Sequence, residues 1–245
     1  MKSGHYISNA VIRRLPRYYR YLRDLQDEGV ERISSIELSG RMGLTASQVR
    51  QDLNHFGDFG QQGYGYAVDS LYEEIGRILG IDRPIRAVLL GAGNLGKAVS
   101  NHMDFARRGF RLVGVFDDAP ALIGTTISGH IIRATGELEE FCREHQPEMA
   151  VLCIPKEAAP ALVKRLIACG VNGFWNFSHY DIQMEYPDVK VENVHLGDSL
   201  MTLSYQMKDD RGTYNYEYND EGSLIHEYSS LGGEEFYEYD DSGRK

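Results

Sequence analysis

Apolar side chains recur at helical spacing at Val11, Leu15, Tyr18, Leu22 and Leu25, with arginines mostly on the other face, which predicts an amphipathic helix. Pro16 falls inside this pattern and predicts a kink or a break; Gly29 predicts its end. Residues 33–42 read as a second short helix and Gly43-Leu44 as a tight turn. Residues 45–54 read as a third helix with Thr45 as its N-cap. Aromatic and glycine residues then alternate over 56–66, a pattern suited to a β-ribbon. A further helix is expected over 68–79, and residues 80–84 read as a linker. Beyond it the pattern changes to short apolar runs separated by helices. Strands are expected at 86–90, 110–116, 149–154, 173–177 and 189–194, with helices near Asn94 and over 157–169. A last apolar-rich helix over 196–207 carries the stripe Leu196, Leu200, Leu203 and Met207.

Helix, glycine turn and helix is the arrangement of a helix-turn-helix, whose second helix enters the major groove with its N-terminal residues foremost. Ser47, Gln48, Arg50 and Gln51 are the side chains on that helix suited to base edges, arginine toward guanine and glutamine toward adenine. Val49 and Leu53 are expected to face the core, and the ribbon over 56–66 to form a wing.

The apolar run 87–90 leads directly into Gly91, Ala92, Gly93, Asn94, Leu95 and Gly96, a G-x-G-x-x-G turn between a strand and a helix. The three glycines are needed for different reasons. Gly91 makes the tight turn, Gly93 lets the backbone approach a pyrophosphate, and Gly96 permits close helix–strand contact. The helix starting near Asn94 offers its N–H groups and dipole to phosphate. Asp117 ends the next strand 21 residues after Gly96, where a carboxylate accepts hydrogen bonds from a ribose 2′-OH and repels a 2′-phosphate. NAD(H) is therefore expected rather than NADP(H). Asp118 is adjacent, although the strand-end position favours Asp117. Ile154, Pro155, Asn176 and Phe177 fall at carboxyl ends of later strands and are candidates to line the nicotinamide side.

Charge is unevenly distributed. Residues 1–23 carry six Lys/Arg and no acid, whereas residues 208–245 carry four basic and eleven acidic residues of a chain whose net charge is −10. The first supports a nucleic-acid partner. The second makes residues 208–245 a distinct acidic tail, in which 216–223 and 237–244 match at a period of 21 and resemble the YD repeats of Rhs-type proteins. Two copies are too few for a solenoid, so a marginal hairpin or a disordered appendage is expected. It reads as a tolerated extension or as an electrostatic competitor for DNA binding. No apolar stretch approaches the roughly 18 residues that span a membrane, and no signal-peptide pattern opens the chain, so a cytoplasmic protein without a membrane partner is expected. Cys142, Cys153 and Cys169 are widely spaced, so no metal site is expected. No nucleophile–base constellation and no substrate domain stand out. The leading expectation is a nucleotide sensor wired to a DNA reader, not an enzyme. A small NAD-dependent oxidoreductase with a helical N-terminal extension is the alternative, and an NAD-binding scaffold with a degenerate DNA module is a third reading.

The segments 14–22, 48–53, 56–60 and 91–96, with Asn176-Phe177 and 191–194, closely resemble the Rex family of redox-sensing transcriptional repressors over residues 7–207. The resemblance implies an α/β chain: a winged helix-turn-helix domain over 1–80, a Rossmann-type doubly wound domain over 85–195, and a domain-swapped dimerisation helix over 196–207. It implies a homodimer bound to a palindromic double-stranded operator, released by NADH with NAD+ competing. Arg14 and Arg17 of the basic arm are among the candidate DNA contacts. The chain departs from the family in four respects. Gln61 and Gln62 replace the wing's usual Lys-Arg, which implies fewer phosphate contacts, and Arg50-Gln51 replaces paired arginines. The helix ends in Asn54-His55 where Ser-Tyr is common. His102 and His195 stand where Tyr and Asp are usual. In the family that Asp exchanges between an N-terminal arginine, here most like Arg14 or Arg17, and the Tyr. The two histidines imply a pH-sensitive switch instead.

Overall fold

The computed structural model describes residues 9–54, 60–61, 65–208, 214–218, 224–229 and 234–236, in two units, Met1–Val191 and Glu192–Lys245.

The first unit opens with α1 (Asn9–Asp27), which runs unbroken through Pro16. Leu15, Tyr18, Leu22 and Leu25 are all buried along one stripe, and the exposed proline stands off it. β1 (Arg32–Ile33) follows, then α2 (Ser35–Met42), α3 (Ala46–Asn54), β2 (Gly60–Gln61), β3 (Gly65–Ala67) and α4 (Val68–Ile78). The expectation that the second helix starts at Ile33 is corrected. Ser34 and Glu37 form a capping box, in which the Ser34 hydroxyl accepts the Glu37 amide and the Glu37 carboxylate accepts the Ser34 amide. The helix therefore starts at Ser35, and Ile33 is left to pair with Tyr66 across a small antiparallel sheet of order β1-β3-β2. The Thr45 hydroxyl accepts the Gln48 amide at 3.1 Å, capping α3 as expected. Leu38, Met42, Val49, Leu53, Leu71 and Ile75 close the core on α1.

Gly80–Pro84 joins α4 to the second layer of the unit. Its elements are β4 (Ile85–Leu90), α5 (Asn94–His102), β5 (Phe110–Phe116), β6 (Thr126–Ile127), β7 (His130–Arg133), α6 (Leu138–His145), β8 (Met149–Leu152), α7 (Ala159–Ala168), β9 (Gly173–Asn176), α8 (Ile182–Glu185) and β10 (Lys190–Asn193). The sheet order is β10-β9-β8-β4-β5-β7-β6, and β7, β5, β4, β8 and β9 pair in parallel. The order reverses between β4 and β8, the switch point of a doubly wound fold. Apolar residues of β4 are buried on both faces, with Val88 and Leu90 in one core and Leu89 in the other. β6, β7 and α6 go beyond the sequence expectation, because the stretch 118–148 alternates too weakly to announce them. β8 and β9 end earlier than expected, at Leu152 and Asn176, which moves Ile154, Pro155 and Phe177 into the loops beyond the strands.

The second unit contains α9 (Leu196–Lys208) and an antiparallel sheet of β11 (Tyr214–Tyr218), β12 (Leu224–Ser229) and β13 (Glu234–Phe236). Among its described side chains, Glu217 and His226 pair across β11 and β12 at 3.3 Å.

Candidate nucleotide site and nucleic-acid interface

The glycine turn leaves β4 at the switch point. Gly91 adopts φ +94°, and a Cβ there would lie 2.3 Å from the Cys153 carbonyl oxygen and 3.0 Å from Ile154 Cγ2. The turn therefore runs hard against the loop after β8, which brings Ile154 to it. A Cβ on Gly96 would lie 1.8 Å from the Gly91 carbonyl oxygen, so the first turn of α5 packs directly on the end of β4. Gly93 differs: a Cβ there meets no atom within 4 Å and its φ is an ordinary −69°. The protein's own packing does not demand that glycine; the absent side chain keeps a cradle open above the α5 N-terminus. The Gly93 carbonyl accepts the Lys97 amide, and α5 has no side-chain N-cap.

The Asp117 carboxylate reaches back to this turn. Its Oδ2 accepts the Ala92 amide at 2.6 Å and its Oδ1 the Ala119 amide at 2.8 Å. Asp118 turns away and accepts the Thr135 amide and hydroxyl at 3.0 and 2.7 Å. The two neighbouring acids thus serve different parts of the fold. Asn176 is buried, and its side chain organises the loop after β9: Nδ2 donates to the Tyr180 carbonyl, and Oδ1 accepts the Ser178 amide and hydroxyl. Phe177 is half-buried and meets Trp175 edge to face at 4.8 Å. Pro155 is exposed. Burial pushes the Cys153 thiol up to about 12, so it is a weak nucleophile at neutral pH. Among the described residues no three His, Cys, Asp or Glu side chains gather as a metal site.

In the helical module, Ser47, Arg50 and Gln51 are exposed on α3 and Gln48 is half-buried. Arg50 donates to the Ser35 hydroxyl at 3.1 Å. The arginines of α1 are deployed differently from expectation. The Arg14 guanidinium donates to both oxygens of buried Asp52, at 2.8 and 2.7 Å, and the Tyr18 hydroxyl donates to the same carboxylate at 2.9 Å. The bond to Asp52 raises the Arg14 pKa, and burial, followed by the nearby Asp52 charge, raises that of Tyr18. Arg17 donates to the Met42 carbonyl and so caps the C-terminus of α2. Gln61 lies on the backbone of β2, and Gln62 lies outside the described residues.

His102, at the end of α5, lines a cleft of about 580 Å³ between the helical module and the sheet layer. The α1 residues that share this cleft are Pro16, Tyr19, Arg20, Arg23 and Asp24; Arg14 and Arg17 do not line it. Arg23 crosses to the other layer and donates to the Arg107 carbonyl at 3.1 Å. Helical spacing could have found this pair, because Arg20 and Arg23 lie three apart on one face of α1. In the second unit, the His195 carbonyl accepts the Asp198 amide at the start of α9.

A winged helix-turn-helix joined in one unit to a Rossmann-type sheet with a glycine turn at its switch point defines the class: a DNA-binding module coupled to a nucleotide-binding fold. Comparison with known proteins agrees with both halves. Residues 6–54 match the family model "Putative DNA-binding protein N-terminus", and residues 82–180 match "CoA binding domain". The redox-sensing transcriptional repressor Rex of Clostridioides difficile strain 630 is 52% identical over 203 residues, 83% of this chain and 96% of the relative. Rex of Caldicellulosiruptor saccharolyticus is 49% identical, over 83% of this chain and 92% of its own. The solved structure of RSP, a Rex-family repressor, in complex with β-NAD+ and operator DNA superposes with a TM-score of 0.76 at 47% identity, covering 84% of this chain and 94% of RSP. The chain belongs to the Rex family of redox-sensing transcriptional repressors.

Proposed function

We propose that this chain is a transcriptional repressor that binds a palindromic operator as a homodimer and is released from it by NADH. The observation that carries the reading is its 47% identity, over 84% of its length, to a repressor solved with β-NAD+ and operator DNA. The local geometry supports it. The open cradle at Gly93 and the first turn of α5 suit a pyrophosphate, and Asp117 suits the adenosine ribose. Ala92, Asn94 and Leu95 complete the phosphate turn, and Ile154, Pro155 and Phe177 form the nicotinamide side, with Asn176 holding the loop that carries Phe177. When bound, the cofactor supplies a redox-dependent charge on its nicotinamide ring. The chain's own residues orient it and translate its presence into domain position.

Ser47, Gln48, Arg50 and Gln51 read base edges; Gln61 and Gln62 touch the backbone from the wing. Arg14 and Arg17 act by holding α1 on the reading helices. His102 and His195 belong to the switch, with Arg20 and Arg23 as its arginines. Exposed Leu196, Leu200, Leu203 and Met207 on α9 support a dimerisation helix. The domains run over 1–80, 85–195 and 196–207, with the acidic tail beyond. The YD-repeat reading of that tail rests on the 21-residue period of 216–223 and 237–244. The reading places the repressor in the cytoplasm and requires no metal.

Fluorescence anisotropy of a labelled palindromic duplex, titrated with NADH at fixed NAD+, tests this. Tight binding released by NADH and not by NADPH is expected. Binding indifferent to NADH, or no binding, overturns it.

A further inference from the structure

We propose that Asp52 sets the specificity of DNA reading without touching DNA, by fixing the roll of α3; this rests on α3 being the reading helix. α3 has nine residues, and its apolar anchors, Val49 and Leu53, are fully buried in one core with side chains of α1, α2 and α4. Apolar contact is non-directional and leaves a short helix free to roll by several degrees. Asp52 removes that freedom. Its two oxygens are gripped by the planar fork of Arg14, and Oδ2 also accepts the Tyr18 hydroxyl. Both donors stand on α1, a turn apart, so the carboxylate is triangulated from one rigid rod.

Stability alone does not explain the choice of residue. Asp52 is only 2% exposed, and a buried ion pair is seldom worth more than a well-packed apolar side chain of the same volume. The pair supplies direction, which an apolar residue does not. Arg50 stands two positions earlier, about 200° round the helix. Its bidentate contact with a base tolerates little misalignment. A rolled α3 keeps the charges that meet phosphate and loses register on the base edges. The predicted defect is therefore one of discrimination, not of general DNA affinity.

The full-length Asp52→Asn and Tyr18→Phe variants test this. Three readouts are taken: affinity for a duplex selected from a random pool by the unaltered protein, affinity for its scrambled counterpart, and NADH binding by fluorescence. In Asp52→Asn the ratio of selected to scrambled affinity is expected to fall about ten-fold, with scrambled-duplex and NADH affinities held. Tyr18→Phe leaves the ion pair in place and is expected to move the ratio the same way by a smaller factor; it decides the matter where Asp52→Asn does not fold. An unchanged ratio, or parallel loss on both duplexes, overturns the proposal. Failure of the unaltered protein to enrich any duplex overturns the repressor reading itself, and this inference with it.

Discussion

The Asp117 carboxylate accepts the Ala92 backbone amide at 2.6 Å, closing the glycine turn with the first side chain beyond the neighbouring strand β5. One oxygen holds Ala92 and the other Ala119, so the acid is oriented before any ligand arrives. That preorganisation favours a ribose diol and opposes a 2′-phosphate. Asp117→Ala is expected to weaken NADH binding by about ten-fold or more and to narrow its advantage over NADPH. Titration of NADH and NADPH fluorescence reads both. An Asp117→Ala protein that still rejects NADPH as strongly would show that the preference lies elsewhere.

Two glycines of the same turn should fail in opposite ways. Gly96→Ala puts a Cβ 1.8 Å from the Gly91 carbonyl, so α5 must move off β4, and a loss of about 1–3 kcal/mol in stability is expected. Gly93→Ala meets no protein atom within 4 Å at an ordinary φ, so its melting temperature should stay close to that of the unaltered protein. The added methyl instead enters the cradle, and NADH affinity should drop. Thermal unfolding with and without NADH separates the cases; equal effects of the two substitutions would argue against a ligand over Gly93.

The periodicity of the chain carried both layers, and the G-x-G-x-x-G turn between β4 and α5 and the place of Asp117 after β5 were legible, because each depends on local spacing. What escaped was what the third dimension decides. Arg14 and Arg17 look like DNA contacts from a basic run of sequence, yet one is gripped by Asp52, 38 residues away, and the other by the Met42 carbonyl. Asp52 itself reads as one more polar residue of a recognition helix. Asn176 lies at a strand end, as a ligand residue would, but its amide closes the loop to Tyr180. β1 was hidden because Arg32–Ile33 is too short to alternate, and only pairing with Gly65–Ala67 makes it a strand.

Acid sensitivity should localise in part to the α6–α7 face. The Arg165 guanidinium, hydrogen bonded to Glu139 through Nε and Nη2, holds that carboxyl at about 2 against an ordinary 4.5. The folded state thus binds this proton less readily than the unfolded one. The stabilisation is complete above about pH 5 and is lost as the pH falls from there toward 2. Glu139 is 48% exposed, so solvent screening limits its worth to about 1 kcal/mol or less. Glu139→Gln should be less stable than the unaltered protein at neutral pH by that amount in urea unfolding, with the gap closing as the solution is acidified. A gap independent of pH would mean that the pair contributes nothing through charge.

His102 shares its cleft with Arg20, Arg23, Arg107 and Arg108, against Asp24 and Asp104. A neighbouring pocket adds His130, whose pKa is lowered by burial and then by Arg111. A fixed cation at this position, as in His102→Lys, would stand among four guanidinium groups, which opposes closure of the two layers. The NADH concentration that half-releases operator should therefore differ between the unaltered protein and His102→Lys, and should differ less in the neutral His102→Asn. An unchanged response in both variants removes the histidine from the switch.

The acidic tail sets a last expectation. Its four basic and eleven acidic residues leave the preceding 207 residues at a net −3 of the chain's −10, while six cations and no acid occupy residues 1–23. An attached polyanion and a DNA duplex compete for the same cationic face, and the tether raises the tail's effective concentration. Removal of residues 208–245 should strengthen operator binding several-fold at low salt and leave NADH affinity unchanged. Above about 0.3 M salt the advantage should vanish, since the Debye length there is well under 10 Å. Anisotropy across a salt series makes the comparison. Equal operator affinity of the full and shortened chains at low salt would make the tail an appendage that DNA binding simply tolerates. A gain that persisted at high salt would point to steric obstruction in place of charge.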